Sequence, residues 1–299
     1  MHFLVTIRFA TVITPLLLFA SSLSHARAPL AVVLVDKKAN ATHLAKYDDG
    51  GITIEKTYHA TLGKVVGDKQ ITDDKKTPEG VYFLLSKRTP PHLQKKFGVM
   101  GFPVDYPNPV DKREGKTGFG IMLHATDDPA RLTKNYDSDG CVVVDNHEIN
   151  EMSRGFTLGL SPMIIFDEMK PEYLKETYKP ELKTFFEAWV KAWGEKDLDK
   201  YMSGYHPTFQ FNGMDIKGYR AYKMSLNKKY ERIAVAAKNV RIYNHPKYTV
   251  ITFGQDYRSW FKGGRQAFQS LGTKVIYVKE DLQGHFRIVH EDFNHLQEN

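Results

Sequence analysis

The segment Gly118-Phe-Gly-Ile-Met-Leu-His124 and the later Ser138-Asp-Gly-Cys141 decide how this sequence is interpreted. Apolar side chains alternate in the first segment, which predicts a half-buried β-strand that ends at His124. The apolar face of that strand is expected to consist of Phe119, Ile121 and Leu123. Turn-forming residues at positions 127–137 allow the chain to loop out and return with Cys141, the only cysteine in the sequence.

A cysteine thiol is only slightly ionised at neutral pH, so it needs a partner that accepts its proton before it can attack a carbonyl group. His124 titrates in a suitable range to act first as a base and then as an acid toward a leaving amine. Backbone N–H groups around Gly140 are expected to bind the oxyanion, because glycine lets a substrate carbonyl approach closely. These parts suffice for acyl transfer if folding brings them together.

The N-terminus has the pattern of a secretory signal peptide. Arg8 supplies a positive charge, an apolar run follows over residues 9–20, and Ser24-His25-Ala26 places small residues at a cleavage site. The alternative is a retained membrane anchor, but the interrupted apolar run is short for a span. We therefore expect a signal peptide at residues 1–26, a periplasmic mature protein and no stable membrane span after cleavage.

Export changes the interpretation of the single cysteine. Exported proteins use cysteines mostly for disulfides, and one cysteine cannot form an internal bridge. It is therefore a buried side chain, an intermolecular partner or a reactive thiol. The glycine before Cys141 and the upstream histidine favour the reactive thiol.

The formal net charge of the chain is +7, and the basic residues are scattered rather than gathered in one tract. Such a distribution is typical of a solvated surface or of a protein attracted to a polyanionic envelope. Nucleic acid is not expected as a partner, because no binding motif is recognisable. The sequence has no HExxH pattern, and His285 and His290 would lie on opposite faces of a strand, so no metal or other cofactor is expected.

The pattern of elements predicts two domains. The first, residues 27–168, is predicted to be mainly β, from strand candidates at residues 30–36, 42–47, 52–58, 81–85 and 162–166. The Pro- and Gly-rich stretch 89–116 is predicted to be a long loop, and residues 146–152 a short helix. A linker is expected at residues 169–179, which are charged and bracketed by prolines.

The second domain, residues 180–299, is predicted to be α+β. It begins with an amphipathic helix whose apolar stripe consists of Leu182, Phe185, Phe186, Trp189, Val190 and Trp193. Two further helical segments precede strand candidates at residues 240–243, 248–258, 266–280 and 285–292. Helices followed by strands favour an antiparallel sheet with the helices on one side.

The motifs of the first domain resemble a known family. Thr77-Pro-Glu-Gly80, Gly120-Ile-Met-Leu-His124 and Ser138-Asp-Gly-Cys141, in this order, look like the L,D-transpeptidase (YkuD-like) catalytic domain, over roughly Leu30 to Phe166. The resemblance implies a β-sandwich with short helices that acts on peptidoglycan stem peptides. In this family the cysteine attacks the carbonyl of the third residue, usually meso-diaminopimelate, expels the terminal D-alanine, and passes the acyl group to an amine or to water.

The resemblance also implies roles for individual residues. Cys141 would be the nucleophile, His124 the general base and acid, and Gly140 part of the turn that binds the oxyanion and orients the histidine. Substrate-binding or supporting roles are expected for Ser138, Asp139, Gly120 and Met122.

Two positions depart from the family pattern. Asp139 stands where the family usually has histidine, and Val143 stands where it usually has arginine. The missing arginine removes a group that recognises a carboxylate or braces the turn. Candidates for its replacement are Arg131, Lys134 and Arg154, each of which is otherwise a plain surface charge.

The second domain resembles the SnoaL-like, nuclear-transport-factor-like cone fold. The resemblance is carried by Phe185-Phe-Glu-Ala-Trp189, Asp197-Leu198 and Tyr205-His-Pro-Thr-Phe209. This fold often has a pocket, which implies a protein partner or small ligand at the cone domain. The two domains together resemble L,D-carboxypeptidases that trim stem tetrapeptides to tripeptides and set cell shape.

Three functions remain open from the sequence. The first is a periplasmic cysteine acyltransferase on peptidoglycan, acting as L,D-carboxypeptidase with water or as L,D-transpeptidase with an amine. The second is an amidase that detaches a lipoprotein bound to the wall peptide. The third is a non-catalytic cell-wall binding module in which the cone domain is the operative part.

Overall fold

A computed structural model describes residues 29–295, so the predicted signal peptide, residues 1–26, lies outside the described residues. The first domain has two short helices, α1 (Pro109–Arg113) and α2 (Asn146–Met152). Its strands are β1 (Leu30–Asp36), β2 (Ala41–Asp48), β3 (Gly51–His59), β4 (Leu62–Gly63), β5 (Gly80–Phe83), β6 (Gly101–Pro103), β7 (Met122–His124), β8 (Tyr136–Ser138), β9 (Val142–Val143) and β10 (Pro162–Phe166).

The main sheet of this domain has five strands in the order β3-β2-β1-β10-β5. Strands β1 and β10 are parallel, and the other pairs are antiparallel. Every residue of β10 is buried, as are most of β1, because both faces of the sheet centre are covered. This double burial explains why Ala31-Val-Val-Leu-Val35 and Pro162–Phe166 are continuous apolar runs rather than alternating ones.

One face of the main sheet packs on a three-stranded sheet of order β6-β7-β9. The shared core includes Val33 and Met163 from the main sheet and Phe102 and Leu123 from the small one. The prediction of a mainly β first domain built as a sandwich with short helices is confirmed.

The second domain consists of three helices, a four-stranded antiparallel sheet of order β13-β14-β15-β16 and a short antiparallel pair, β11-β12. Its elements are α3 (Pro180–Gly194), α4 (Leu198–Ser203), β11 (Gln210–Phe211), β12 (Met214–Asp215), α5 (Ile216–Lys229), β13 (Arg232–His245), β14 (Tyr248–Trp260), β15 (Gln266–Glu280) and β16 (Phe286–His295). The aromatic stripe of α3 packs into the core, with Phe186, Trp189 and Trp193 buried. The α+β prediction is confirmed.

The second face of the main sheet packs on the sheet of the second domain. Val32, Leu34 and Phe166 share a core with Tyr243 and Tyr248. The buried hydroxyl of Tyr248 accepts hydrogen bonds from the Val81 N–H at 2.9 Å and from the Asn108 side chain at 2.6 Å. The domains therefore share a continuous apolar interface rather than a loose contact.

The segment expected to be a linker, residues 169–179, contributes to this interface. It contains a 3-10 helix, Pro171–Leu174, in which Tyr173 is buried. The Tyr173 ring stacks on Phe166 with ring centroids 5.6 Å apart. The segment is thus packed on the first domain.

Two local predictions are wrong. The stretch 89–116 is not one loop, because it contains β6, α1 and a 3-10 helix at Lys95–Phe97. The start signal of α1 was missed: Asn108 caps it and Pro109 occupies its first turn. The strand predicted from Gly118 begins only at Met122, because Gly118 and Gly120 have φ of 117° and 77°.

No helix within residues 29–295 is long and apolar enough to cross a membrane.

Candidate active site

Cys141 and His124 line the same open pocket, which we call the Cys141 pocket, with a volume of about 460 Å³. One wall is lined by Lys64, Lys69, Thr72 and Asp73, which belong to the irregular segment 64–79 between β4 and β5. Residues 96–97 and 118–121 line the other walls. Its lining also includes Arg131, Asp137, Ser138 and Asp139.

The two predicted reactive residues come together because their strands are neighbours. Strands β7 and β9 are parallel, with Leu123 opposite Val142 and His124 opposite Val143. Paired residues share a face of the sheet, and so do residues two apart on one strand. His124 and Cys141 therefore lie on the same face, diagonally across the pair.

His124 is 1% exposed and its ring is held from two sides. Its Nδ1 lies 2.5 Å from the Ala125 carbonyl oxygen, and its ring contacts Phe97 edge to face at a centroid distance of 4.8 Å. Because a carbonyl oxygen only accepts, Nδ1 carries the proton and Nε2 keeps its lone pair. Burial lowers the pKa of His124 to about 4, so the imidazole is neutral at physiological pH.

The Cys141 sulfur lies between two backbone groups of the preceding segment. It donates to the Gly120 carbonyl oxygen at 3.6 Å, and the Met122 N–H is directed to it. Burial raises the pKa of the thiol to about 11, although the Met122 N–H opposes this rise. The thiol is therefore un-ionised in the free protein. Cys141 still lines the open pocket and retains some solvent contact, so a substrate can reach it.

The turn that delivers Cys141 is closed by Ser138. Its hydroxyl donates to the Cys141 carbonyl oxygen at 2.7 Å and accepts from the Gly140 N–H at 3.1 Å. Gly140 has a φ of 119°, and a Cβ atom there would lie 2.7 Å from the Lys76 carbonyl oxygen. Both the backbone conformation and the close approach therefore require glycine.

Four basic side chains line the pocket, and three of them pair with acids. Lys64 contacts Asp139 at 3.2 Å, and Lys69 contacts Asp74 at 2.7 Å. Arg131 donates to the Asp137 carbonyl oxygen at 3.0 Å and approaches its carboxylate at 3.6 Å. The fourth, Lys96, lies over the Phe97 ring, with Nζ 4.9 Å from its centroid.

Comparisons with known proteins identify the family of this chain. Residues 31–165 match the model of the L,D-transpeptidase catalytic domain (YkuD), and residues 181–292 match that of the Cds6 C-terminal NTF2-like domain. The solved structure of Bd1075 from Bdellovibrio bacteriovorus is 32% identical, with a TM-score of 0.76, over 90% of this chain and 94% of that one. The chain belongs to the L,D-transpeptidase family.

A second similar structure has the same architecture. The helical cell shape determining protein Pgp2 from Campylobacter jejuni is 25% identical to this L,D-transpeptidase family member, with a TM-score of 0.70, over 90% of this chain and 93% of that one. A point variant of Pgp2 is 26% identical, at the same TM-score, over 90% and 92%. A search of curated proteins returned no match.

In this L,D-transpeptidase family member the side chain at position 143 is buried. Val143 is fully buried and hydrogen-bonds through its backbone to Thr61 on the next segment. Of the three basic residues proposed as replacements, Arg131 alone lines the Cys141 pocket. Lys134 pairs with Asp137 and is largely exposed, and Arg154 lies in the turn after α2.

Sequence reasoning missed part of this site. The wall formed by residues 64–79 carries Lys69 and Thr72, and no motif there marks them as site residues beyond Thr77-Pro-Glu-Gly80 at its end. Phe119 was predicted to face the core, yet it is 83% exposed at the pocket mouth. The flanking glycines were the available signal, because two positive-φ residues break the alternation of a strand.

The second domain of this L,D-transpeptidase family member has its own cavity, of about 330 Å³. Lys274 and Glu291 are buried in it and pair at 3.1 Å. Lys223 lies with Nζ 4.7 to 5.1 Å from the ring centroids of Trp193, Tyr201 and Tyr219, and burial lowers its pKa to about 8. Glu291 also accepts hydrogen bonds from Tyr205 and Tyr219.

Within residues 29–295 no group of three or more His, Cys, Asp or Glu side chains is arranged to hold a metal ion. His285 approaches Asp281 at 3.5 Å, whereas His290 contacts Tyr277, with ring centroids 5.8 Å apart. These two histidines therefore have separate partners.

Proposed function

We propose that this protein is a periplasmic peptidoglycan-modifying cysteine acyltransferase. Its substrate is the stem tetrapeptide, and the bond attacked joins the L-centre of the third residue, diaminopimelate, to the terminal D-alanine. The observation that carries the proposal is the placement of His124, at the end of β7, and Cys141, directly before the neighbouring strand β9, in one open pocket. Membership of the L,D-transpeptidase family and similarity to a cell shape determining protein support the choice of substrate.

Acylation begins with transfer of the Cys141 proton to Nε2 of His124 as the sulfur attacks the peptide carbonyl carbon. The new S–C bond gives a tetrahedral oxyanion. When the C–N bond breaks, the proton on His124 passes to the departing amine of D-alanine. The product is a thioester between Cys141 and the third residue of the stem peptide.

The thioester is then resolved by an acceptor. Water or an amine loses a proton to His124 and attacks the thioester carbonyl, and the sulfur leaves and recovers that proton. Water gives a tripeptide, which is L,D-carboxypeptidase activity. An amine of a second stem peptide gives a 3-3 cross-link, which is L,D-transpeptidase activity.

The resting protonation states favour transfer during attack rather than before it. With the pKa of Cys141 at about 11 and that of His124 at about 4, the neutral thiol and imidazole predominate in the free protein. Protonation of His124 becomes favourable only as the S–C bond forms, because the negative charge then passes to the carbonyl oxygen, where hydrogen bonds stabilise it. The Gly140 N–H already donates to the Ser138 hydroxyl. To bind the oxyanion, this N–H would donate to both oxygens at once.

The supporting residues have distinct proposed roles. Ser138 fixes the turn, and Gly120 and Met122 hold the sulfur from either side through their backbone groups. Asp139, held by Lys64, lies at the pocket edge where the amino group of diaminopimelate is a suitable partner. Arg131 is the proposed replacement for the family arginine in recognising a substrate carboxylate.

A ligand of the second domain is a further part of this proposal. The cavity there holds two lysines, Lys223 and Lys274, against one carboxylate, Glu291. An anionic group on a small ligand or on a protein partner would balance that excess of positive charge.

Incubating the mature protein with defined tetrapeptide muropeptides and measuring product masses tests the proposal. Tripeptide monomers identify hydrolysis and 3-3 dimers identify transpeptidation, and either product supports the proposed chemistry. Unchanged muropeptides contradict it. Sacculi that carry a bound lipoprotein separate the amidase, which would free that protein without changing the tetrapeptide content.

A further inference from the structure

Residues 64–79, which we call the strap, are not part of any helix or strand, and four of them line one wall of the Cys141 pocket. Lys69 and Thr72 of the strap line the pocket. The Lys76 carbonyl oxygen packs directly against Gly140, where a Cβ atom would approach it to 2.7 Å. The position of the strap therefore determines the width of the pocket and supports the turn that precedes Cys141.

Two acidic residues of the strap, Asp68 and Glu79, are joined by a hydrogen bond. Oδ1 of Asp68 accepts a hydrogen bond from the Glu79 N–H at 2.8 Å. Both carboxylates are largely buried, with side-chain exposures of 15% and 11%. Neighbouring lysines hold the pKa of each below its usual range against the opposing effect of burial, so both are ionised at neutral pH.

A lysine of the second domain contacts both acids. Lys247 lies in the turn between β13 and β14, and its Nζ is 2.7 Å from Asp68 Oδ2 and 3.0 Å from Glu79 Oε2. It is the cation that joins the two acids to each other and to the second domain. Its own turn is anchored, because Tyr248 packs in the interface core and accepts the Val81 N–H.

Two lysines of the first domain complete the cluster. Lys37 contacts Glu79 at 2.8 Å and donates to the carbonyl oxygens of Gly67 and Thr77. Lys116 contacts Asp68 at 2.8 Å. If Lys247 loses its charge, each strap carboxylate keeps one cation, Lys37 or Lys116, while the ion pairs between the strap and the second domain are lost.

We propose that Lys247 is a positioning residue through which the second domain holds the wall of the Cys141 pocket in place. The inference rests on the proposed function, because it assigns the strap to binding of the stem peptide. The packing of the second domain on the first is thereby coupled to substrate binding in the first domain. Loss of the coupling affects mainly KM, since the strap side chains border the substrate while the thiol and imidazole lie on strands β7 and β9 and their flanking residues.

The test compares Lys247→Met with Lys279→Met and Lys247→Arg in the mature protein. Lys279 is the control, because it also reaches from the second domain to an acid of the first, Glu114, at 2.7 Å, and its side chain is 34% exposed against 31% for Lys247. Glu114 lies outside the strap and approaches the cluster only at Lys116, 3.8 Å away. Hydrogen–deuterium exchange of residues 64–79 is the first measurement, and D-alanine release from tetrapeptide muropeptides is the second.

We expect Lys247→Met to speed exchange in the strap by about three- to tenfold and to raise KM by a similar factor, with kcat changed less than about twofold. Lys279→Met should leave strap exchange and KM at wild-type values, and Lys247→Arg should restore both. Equal strap exchange in wild type and Lys247→Met, or an equal increase in Lys279→Met, overturns the positioning role. Absence of D-alanine release by the wild type instead overturns the proposed function, whatever the exchange result.

Discussion

The Nδ1 atom of His124 lies 2.5 Å from the carbonyl oxygen of Ala125, and this contact leaves Nε2 as the basic nitrogen of the ring. The partner that fixes the tautomer is a backbone group of the next residue rather than a carboxylate. A neutral backbone partner does not stabilise an imidazolium as strongly as a carboxylate does. The low pKa of His124, about 4, follows from burial beside this weak partner.

The pH dependence of the reaction should reflect that low value. A base with a pKa of about 4 is unprotonated above that pH, so kcat/KM should rise through about pH 4 and stay level across neutral pH. An acid limb near the ordinary histidine value of about 6.5 would contradict the proposed environment of His124. The measurement is the pH profile of D-alanine release, over the range in which the fold is stable.

The free thiol should react slowly with alkylating agents at neutral pH. With its pKa raised to about 11, only about one in 10⁴ Cys141 side chains is a thiolate at pH 7, and iodoacetamide labelling should accelerate up to about pH 11. Labelling that levels off by pH 7 would contradict the un-ionised resting state. Slow labelling alone does not indicate the inactive binding module, because the enzyme is expected to show it too.

Gly140 and Gly120 form a matched pair for testing the turn. Gly140→Ala places a Cβ atom 2.7 Å from the Lys76 carbonyl oxygen, so we expect at least about a 100-fold loss of activity. Gly120→Ala meets nothing within 4 Å and bears only the strain of a φ of 77°, about 1 kcal/mol of unfolding free energy. Thermal unfolding and D-alanine release measure the two effects, and equal activities in the two variants would contradict this account.

Asp105 should destabilise the fold at alkaline pH. Burial raises its pKa to about 7, so the folded state holds a proton that the unfolded state loses near pH 4. The stability it contributes is therefore full below pH 4 and lost as the pH rises through 7. Asp105→Asn keeps an oxygen that accepts the Phe83 N–H, and should raise the unfolding free energy by about 1–2 kcal/mol at pH 8.

Chemical denaturation at pH 8 and at pH 4 checks this expectation. At pH 4 the variant and the wild type should agree, because Asp105 is then protonated in the folded state. A pH-independent difference would show that the carboxyl group does not titrate as described.

The sequence predicted most of the long elements, and it predicted that Cys141 and His124 share a site, because both predictions depend on local signals. Strand β13 is an exception, since only residues 240–243 of Arg232–His245 were predicted. The continuous apolar runs of β1 and β10 and the aromatic stripe of α3 mark their elements directly. The Gly140-Cys141 turn and the histidine at a strand end are also recognisable from the local sequence. The cluster of Lys37, Asp68, Glu79, Lys116 and Lys247 was not predictable, since it joins residues far apart in sequence that look like ordinary surface charges.

The exposure of Phe119 shows why the strand prediction failed at one end. Phe119→Ser should change the unfolding free energy by less than about 0.5 kcal/mol, because the ring is 83% exposed. Leu123→Ser, at a fully buried position of the same predicted face, should cost about 3 kcal/mol or more. Denaturant titration of the two variants measures both changes. A large loss of unfolding free energy in Phe119→Ser would indicate that the ring is buried, as the strand prediction expected.

The central claim is that the thiol of Cys141 forms the acyl intermediate. The most direct test is release of D-alanine from a tetrapeptide muropeptide by the wild type and by Cys141→Ala, with equal folding of both verified by circular dichroism. We expect release by the wild type and a loss of at least about 1000-fold in the variant. Release at the same rate by both proteins would contradict it.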